Sequence, residues 1–463
     1  MRKESTPVRT TLVVCGLVML FAFGTLHGQI PTAPSLPAPD PRYKADILLI
    51  VAHPDDETAL GGYLAKAVFD EHRRVAIIYF NRGGGGGNSV GNEQSFAMGA
   101  IREIEARRAV AGFGITNVWI LEGRDTPSQD VFLSLENWHH GARLEETVRL
   151  IRLTRPEVII TWLPHYVAGE NHGDHQAAGV ITTEAFDAAG DPTVFPAQVV
   201  PSRERTDINN ATEGLRPWQP KKIYYISDAS HPVNGPGPAF DLAMVSPSKK
   251  VPYYRLAAEL HLPHRTQADV SEVAEKAIAS GNFTDFQKWL GMFRLLFGKT
   301  VIPCSAEADV FEGITSTPAP YTPPPGYQPL ISHGVGLELG GAFKFYHEFW
   351  RAHGIENVGP LVTPEVSVAA GSYFHLPLLL RNASGDSATV RLAVEIPKGW
   401  TELSGGAEYR LGPGEVRPVQ TFMRAPEGLI KGIQRITWMA QVGGRPAGLV
   451  SIDVTLAEWT LPE

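Results

Sequence analysis

The chain has 463 residues, 43% hydrophobic and 19% charged, an ordinary globular composition too long for one small core and suited to two domains plus processing segments. A formal net charge of −8, with no dense Lys/Arg stretch, argues against a nucleic-acid partner or an anionic-membrane binder. Only two cysteines are present, and Cys304 is left alone once the N-terminus is processed, so an intramolecular disulfide is excluded.

Arg2, Lys3 and Arg9 precede the apolar run TLVVCGLVMLFAF, which is too short for a comfortable membrane span and gives way to the small residues of GTLHGQ. Residues 1–28 therefore read as a signal peptide cleaved near Gly28, in preference to a retained N-terminal anchor, with export to a periplasmic or extracellular location. Residues 29–44 are a proline-rich linker.

An alternation of strand and helix patterns follows. ADILLIVA (45–52) is a continuous apolar run, helical spacing covers 58–72, and RVAIIYFN is a second strand. The long helix NEQSFAMGAIREIEARRAVAGFG leads to the strand NVWILEG, then to the helix ARLEETVRLIRLTRP, the strand EVIITWLP and the helix HGDHQAAGVITTEAFDAAG. Strands apolar on both faces, separated by amphipathic helices, predict a Rossmann-like α/β fold with a mostly parallel sheet and helices on both faces. The alternation stops after KKIYYIS (221–227). Residues 231–360 read as a helical and loop extension, with helices around 270–297 and a proline-rich loop at 315–328. From 361 to 463, short strand-sized segments separated by Gly, Pro, Asn and Asp predict an Ig-like all-β sandwich of about 100 residues.

Two polar clusters stand at strand ends. HPDDE (53–57) follows the first strand, and HYVAGENHGDH (165–175), with His165, Glu170, His172, Asp174 and His175, follows the fourth. Ligands bind beyond the carboxyl ends of strands in open α/β sheets, so the topology brings both clusters to one edge. Histidines with one carboxylate and an open position are a catalytic zinc arrangement, and the absence of thiolates argues against a structural site. Three consecutive acids cannot all reach one metal, so at least one remains available as a base.

AHPDDE (52–57) together with HGDH (172–175) resembles the PIG-L/LmbE-like zinc deacetylases, over roughly residues 45–230; RGGGGGN and IREIEARRAVAGFG also fit that pattern. The resemblance implies that the deacetylase domain spans 45–360 with its core at 45–230. It implies Zn²⁺ held by His53, Asp56 and His175, with Asp55 as general base and His172 stabilising the tetrahedral intermediate. The activity implied is removal of an acetyl group from an N-acetylglucosamine-type substrate. In the surrounding shell, Glu57 would orient a ligand, and Asp174 would sit beside a protonated His172.

Arg82 and Arg102 are candidates for sugar or phosphate contacts, an ion pair of Arg102 with Glu105 being the alternative. Asn88 and Asp125 are further substrate-binding candidates. The glycine run 83–87 lacks both G-x-G-x-x-G and a P-loop Lys-Ser/Thr, and Phe293 stands where a P-loop ending in GKT (298–300) needs glycine, so the run reads as a loop permitting close substrate approach. The sandwich is read either as a cell-surface glycan contact or as a packing module. Two other functions fit the residues: a catalytically silent secreted glycan-binding protein, and a hydrolase of another small amide conjugate.

Overall fold

The computed structural model describes residues 38–166, 172–199, 213–227, 233–284, 292–327, 333–362 and 364–457, all within one compact unit, Leu36–Glu463. The signal segment, the first part of the proline-rich linker, and Glu170 lie outside the described residues. No helix among the described residues is long and apolar enough to cross a membrane.

The first half runs β1 (Ile47–Val51), α1 (Gly61–Ala65), β2 (Val75–Asn81), α2 (Ser95–Ala111), β3 (Asn117–Gly123), α3 (Val131–Asn137), α4 (His140–Thr154), β4 (Val158–Trp162), α5 (Gly173–Ala188) and β5 (Lys222–Ile226). Every residue of β1, β2, β4 and β5 is buried, as expected where helices cover both faces of a parallel sheet. The helix expected over 58–72 is a composite: a 3₁₀ turn at Asp56–Leu60, α1, then a wider π turn at Lys66–Asp70. Helix α4 stops where the sequence demands it. Arg155 is left-handed at φ 50°, its N–H returns to the Ile151 carbonyl at 2.7 Å, and Pro156 blocks continuation.

The extension contains β6 (Ala239–Asp241), α6 (Tyr253–His261), α7 (Ala268–Ser280), β7 (Met292–Arg294), β8 (Leu296–Thr300), β9 (Val335–Leu339) and α8 (Gly341–His353). Residues 292–300 are therefore strand, not the end of a helix reaching 297. β8 pairs antiparallel with β5 and β7 with β6, and these available edges decide the conformation of a segment whose apolar run is compatible with either state. The six-stranded sheet has the order β3-β2-β1-β4-β5-β8, with all pairs parallel except the last. The strand order reverses between β1 and β4, so the loops leaving these neighbours diverge and open a crevice at their carboxyl ends.

The C-terminal part comprises β10 (Glu365–Ala369), β11 (Tyr373–Asn382), β12 (Ala388–Glu395), β13 (Thr401–Ser404), β14 (Ala407–Leu411), β15 (Val416–Arg424), β16 (Gln434–Val442) and β17 (Arg445–Ala457). They form two sheets, β10-β17-β16-β12-β14 and β13-β15-β11-β9. The alternating burial along β11 and β15 marks the inner face of a sandwich. Its edge strand β9 comes from ahead of residue 361, so the all-β part is not confined to 361–463.

Helix α8 continues directly from β9 and docks on the α/β part beside the second polar cluster. The Trp350 indole donates to the Pro164 carbonyl at 2.7 Å and stacks on His165; the Tyr346 hydroxyl donates to Gln176 at 2.7 Å. His353 and Lys299 converge on Asp187 of α5. His165, buried in this aromatic nest, is pushed down to about 3 by burial and acts as packing. Truncating this anchor, Trp350→Ala, is expected to lower stability by about 3–5 kcal/mol, the usual cost of removing a buried Trp side chain. Urea denaturation followed by circular dichroism checks it; an unchanged midpoint would mean α8 is not an anchor.

Candidate metal centre

The crevice between β1 and β4 holds the two clusters. Asp56 is fixed first. Its Oδ2 accepts hydrogen bonds from the Ala52 N–H (2.9 Å), the His53 N–H (3.0 Å) and the Trp162 indole (2.7 Å), so its Oδ1 is turned toward the imidazoles. Burial opposes the charge on Asp56, but the His175 and His53 rings outweigh it and hold the carboxyl well below the usual range. His175 stacks on Trp162, with ring centroids 4.3 Å apart.

Three donor atoms then face one another: His53 Nδ1 and His175 Nε2 at 3.0 Å, His175 Nε2 and Asp56 Oδ1 at 3.2 Å, and His53 Nδ1 and Asp56 Oδ1 at 3.8 Å. Tetrahedral zinc with ligand bonds of about 2.0–2.1 Å needs donor separations of about 3.3–3.4 Å. The three separations bracket that value, so this set fits the ion. The same pocket offers two looser groupings, His53–His172–His175 and His53–Asp125–Asp174, whose donor atoms lie within 4.8 Å of one another. Asp125 and Asp174 flank the other edge of His53, with Nε2 at 3.2 Å from Asp174 Oδ2 and 3.5 Å from Asp125 Oδ1. A carboxylate receiving the far N–H of a ligand imidazole orients the ring and raises its basicity. Three carboxylates, Asp56, Asp125 and Asp174, thus surround the imidazoles, a concentration of negative charge suited to a divalent cation.

Asp174 does not pair with His172. Its Oδ2 is shared by His53, the Asn81 amide (3.1 Å) and the Thr126 N–H (3.0 Å), leaving Oδ1 buried with no hydrogen-bond partner among the described residues. His172, whose Nδ1 is likewise buried and has no partner among the described residues, is pushed down to about 4 by burial and by the His53 and His175 charges. It is a neutral imidazole at pH 7, not the protonated one expected beside Asp174. Its ring centroid lies 5.1 Å from His53 and 5.2 Å from His175. Gly173 in HGDH has a packing reason: a Cβ there would lie 2.8 Å from the Asp130 carbonyl and from Ser134 Oγ, at the start of α3.

Asp55 is set apart from Asp56 by its backbone. At φ 119°, ψ −24° it occupies positive-φ space that costs a non-glycine residue about 1–3 kcal/mol. Its N–H donates to Glu57 Oε2 at 3.0 Å. Burial, followed by the neighbouring Asp56 charge, pushes the Asp55 carboxyl up to about 7. Glu57 points away from the imidazoles: its Oε1 meets His264 Nε2 at 2.7 Å, with both side chains fully buried.

The glycine run packs on side chains. A Cβ on Gly83 or Gly86 would lie 3.0–3.1 Å from the Arg102 guanidinium, and one on Gly85 would lie 2.9 Å from Asp125. Arg102 is buried and donates to the Gly87 carbonyl at 2.9 Å. Glu105, its expected partner, is instead bound by Thr266 N–H and Oγ1. Asp125 accepts the Gly85 N–H at 2.7 Å, and despite its burial the contact with His53 holds it far below the usual carboxylate range. Arg82 pairs with Glu103 and Glu122. Asn88 closes its own loop through the N–H groups of Val90 and Gly91 and through Glu93. A cavity of about 830 Å³ beside the centre is lined by Arg82, Gly85, Phe96, Arg124, Asp125 and His139, among others. Asn81, Thr126, Trp162 and His264 escaped the sequence reading. Asn81 and Trp162 stand at the ends of β2 and β4, a signal that could have found them; His264 has none.

Residues 48–186 match the PIG-L family, described as GlcNAc-PI de-N-acetylase, so the α/β part carries a PIG-L family domain. The 1D-myo-inositol 2-acetamido-2-deoxy-alpha-D-glucopyranoside deacetylase 1 of Frankia alni is 29% identical over 189 residues, covering 37% of this chain and 59% of that protein. The corresponding deacetylase of Thermobifida fusca is 26% identical over 196 residues, covering 39% and 61%. The chain thus spans about three-fifths of the length of these relatives. Among solved structures, the N,N'-diacetylchitobiose deacetylase of Pyrococcus horikoshii aligns with a TM-score of 0.39 and 18% identity, over 59% of this chain and 87% of that one.

The glycine loop yields a test of its packing. A Cβ on Gly84 would sit 2.7 Å from the Ser95 backbone carbonyl, whereas one on Gly87 meets nothing within 4 Å. Gly84→Ala is expected to destabilise by about 1–3 kcal/mol and Gly87→Ala to be near neutral. Thermal melts of both variants check this; equal melting temperatures would disprove the close approach.

Proposed function

We propose that the chain is an exported, zinc-dependent N-deacetylase that hydrolyses the acetamide of an N-acetylglucosamine-type substrate to acetate and the free amine. The observation that carries this reading is the close set of His53 Nδ1, Asp56 Oδ1 and His175 Nε2 beside a carboxylate, Asp55, that is not part of the set. The names of the relatives support the amino-sugar substrate, and the N-terminal apolar run behind Arg2 and Lys3 supports export.

Zinc held by His53, Asp56 and His175 would polarise the amide carbonyl and acidify a water molecule. Asp55 accepts the proton of the attacking water. Its carboxyl is pushed up to about 7 by burial and Asp56, and a cation held by the three donors would draw it down and favour the ionised form at neutral pH. The same carboxyl then returns the proton to the departing amine. His172 donates a ring N–H to the oxygen that gains charge during attack; as a neutral imidazole it does so without first being protonated. Asp125 and Asp174 hold the His53 ring. The cavity flanked by Arg82, Phe96 and Arg124 receives the sugar and whatever it is linked to.

Two measurements test this. His53→Ala and His175→Ala should each lose the bound metal found in the wild-type chain by elemental analysis, and metal content unchanged in both would refute the ligand set. Metal-loaded Asp55→Asn should keep its zinc while acetate release falls roughly 10²–10⁴-fold. N-acetylglucosamine, its inositol conjugate and N,N'-diacetylchitobiose are the substrates to try. Failure of the metal-loaded wild-type chain to release acetate from any of them would overturn the reading, and an Asp55→Asn variant at the wild-type rate would overturn the role of Asp55.

A further inference from the structure

The segment that follows α6, residues 262–267, lies outside the PIG-L match at 48–186 yet is bonded to three parts of the site. His264 Nε2 meets Glu57 Oε1 at 2.7 Å, and Gln267 Nε2 donates to the Pro54 carbonyl at 3.0 Å; both hold the loop between β1 and α1. Thr266 ties to Glu105 on α2 through its N–H (2.9 Å) and hydroxyl (2.6 Å), and its carbonyl accepts the Ser89 N–H of the glycine loop at 3.0 Å. The segment is therefore a strap across the back of the metal loop.

One of these contacts reaches the chemistry. Glu57 uses one oxygen for His264 and the other for the Asp55 N–H. That N–H belongs to a residue held at φ 119°, a conformation that surrounding contacts must enforce. The reversal at Asp55 is what lets two adjacent carboxylates take different tasks, Asp56 facing the imidazoles and Asp55 not. A buried glutamate that loses its imidazole partner is held by the Asp55 N–H alone and would turn to satisfy its freed oxygen, which shifts the Asp55 amide with it.

We infer that His264 is a positioning residue for the base: by pinning the Glu57 carboxylate it keeps Asp55 in its positive-φ conformation, touching neither substrate nor the three ligand donor atoms. The inference rests on Asp55 being the base, but its structural half can be read without turnover.

The test uses the full metal-loaded chain in four variants. His264→Ala is expected to lower kcat roughly 10–100-fold with KM within about twofold, since a small misplacement of a reacting group costs rate. Its metal content should stay that of the wild type, and backbone amide exchange over residues 51–58 should accelerate. His264→Gln, which keeps an N–H aimed at Glu57, should recover most of kcat and of the exchange protection. The double variant Glu57→Leu/His264→Leu replaces the buried pair by an apolar one of similar volume and should fold. It separates positioning from mere stabilisation, because positioning predicts the same loss of kcat in a stable protein. Thr266→Val, cutting the strap's side-chain tie to Glu105 on α2 and leaving both ties to the β1–α1 loop, should leave kcat and the exchange of Asp55 close to wild type.

Wild-type kcat in the folded double variant would overturn the inference. So would loss of metal in His264→Ala, which would assign the pair to ligation. If the wild-type chain hydrolyses no acetamide, the functional reading falls, while the exchange comparison of His264→Ala with Thr266→Val still decides whether His264 holds Asp55.

Discussion

Three consecutive carboxylates, Asp55, Asp56 and Glu57, leave a fully buried strand, and the rest of the site is arranged around how each is accommodated. Like charges on neighbouring residues in a low-dielectric setting repel strongly unless each finds its own partner. The chain separates them in three directions. Asp56 is held by two N–H groups of its own loop and by the Trp162 indole, and faces two imidazoles. Glu57 turns to the opposite side and meets His264. Asp55 carries a left-handed backbone and belongs to neither group.

Each accommodation draws on a different part of the fold. Trp162 is the last residue of β4, so Asp56 depends on β4 lying beside β1, which is the reversal point of the parallel sheet. His175 stands in the first turn of α5, and that helix start is set against α3 by Gly173. α5 is in turn braced by Tyr346 and His353 of α8, the helix that continues from the sandwich strand β9. The C-terminal part is thus mechanically continuous with the element that presents His172 and His175. His264 arrives from the segment after α6, and the same segment secures α2 through Glu105 and the glycine loop through Ser89.

The glycine run contributes by what it omits. Arg102 and Asp125 occupy the space where Cβ atoms would stand, so the backbone closes directly over a guanidinium and a carboxylate. Asp125 is thereby brought against His53, where its carboxylate holds the imidazole from the edge opposite Asp56. Arg82 and Asn88, which share the same stretch, are engaged in ion pairs with Glu103 and Glu122 and in a local turn. Neighbours in sequence here differ sharply in their work, because one loop presents its two faces to different environments.

The sequence by itself determined what local pattern can encode. Continuous apolar runs identify β1, β2, β4 and β5, since a strand buried on both faces has no polar side to show. Motifs at the ends of β1 and β4 point to one edge, because parallel strands with helical crossovers carry their carboxyl ends to the same side. Other features were decided only by tertiary structure. Residues 296–300 became strand because the edge at β5 was available and residues 292–294 because β6 was, and β9 joined the sandwich although it precedes a helix that docks elsewhere. Asp174 paired with His53, Asn81 and Thr126 instead of His172 because those groups converge only after β2, β3 and α5 assemble. His264 left no trace, standing 207 positions from Glu57 with no motif around it. A buried carboxylate needs some donor, but the requirement fixes only the chemistry of the partner; which residue meets it depends on which backbone passes within hydrogen-bonding distance, and the folded chain alone determines that.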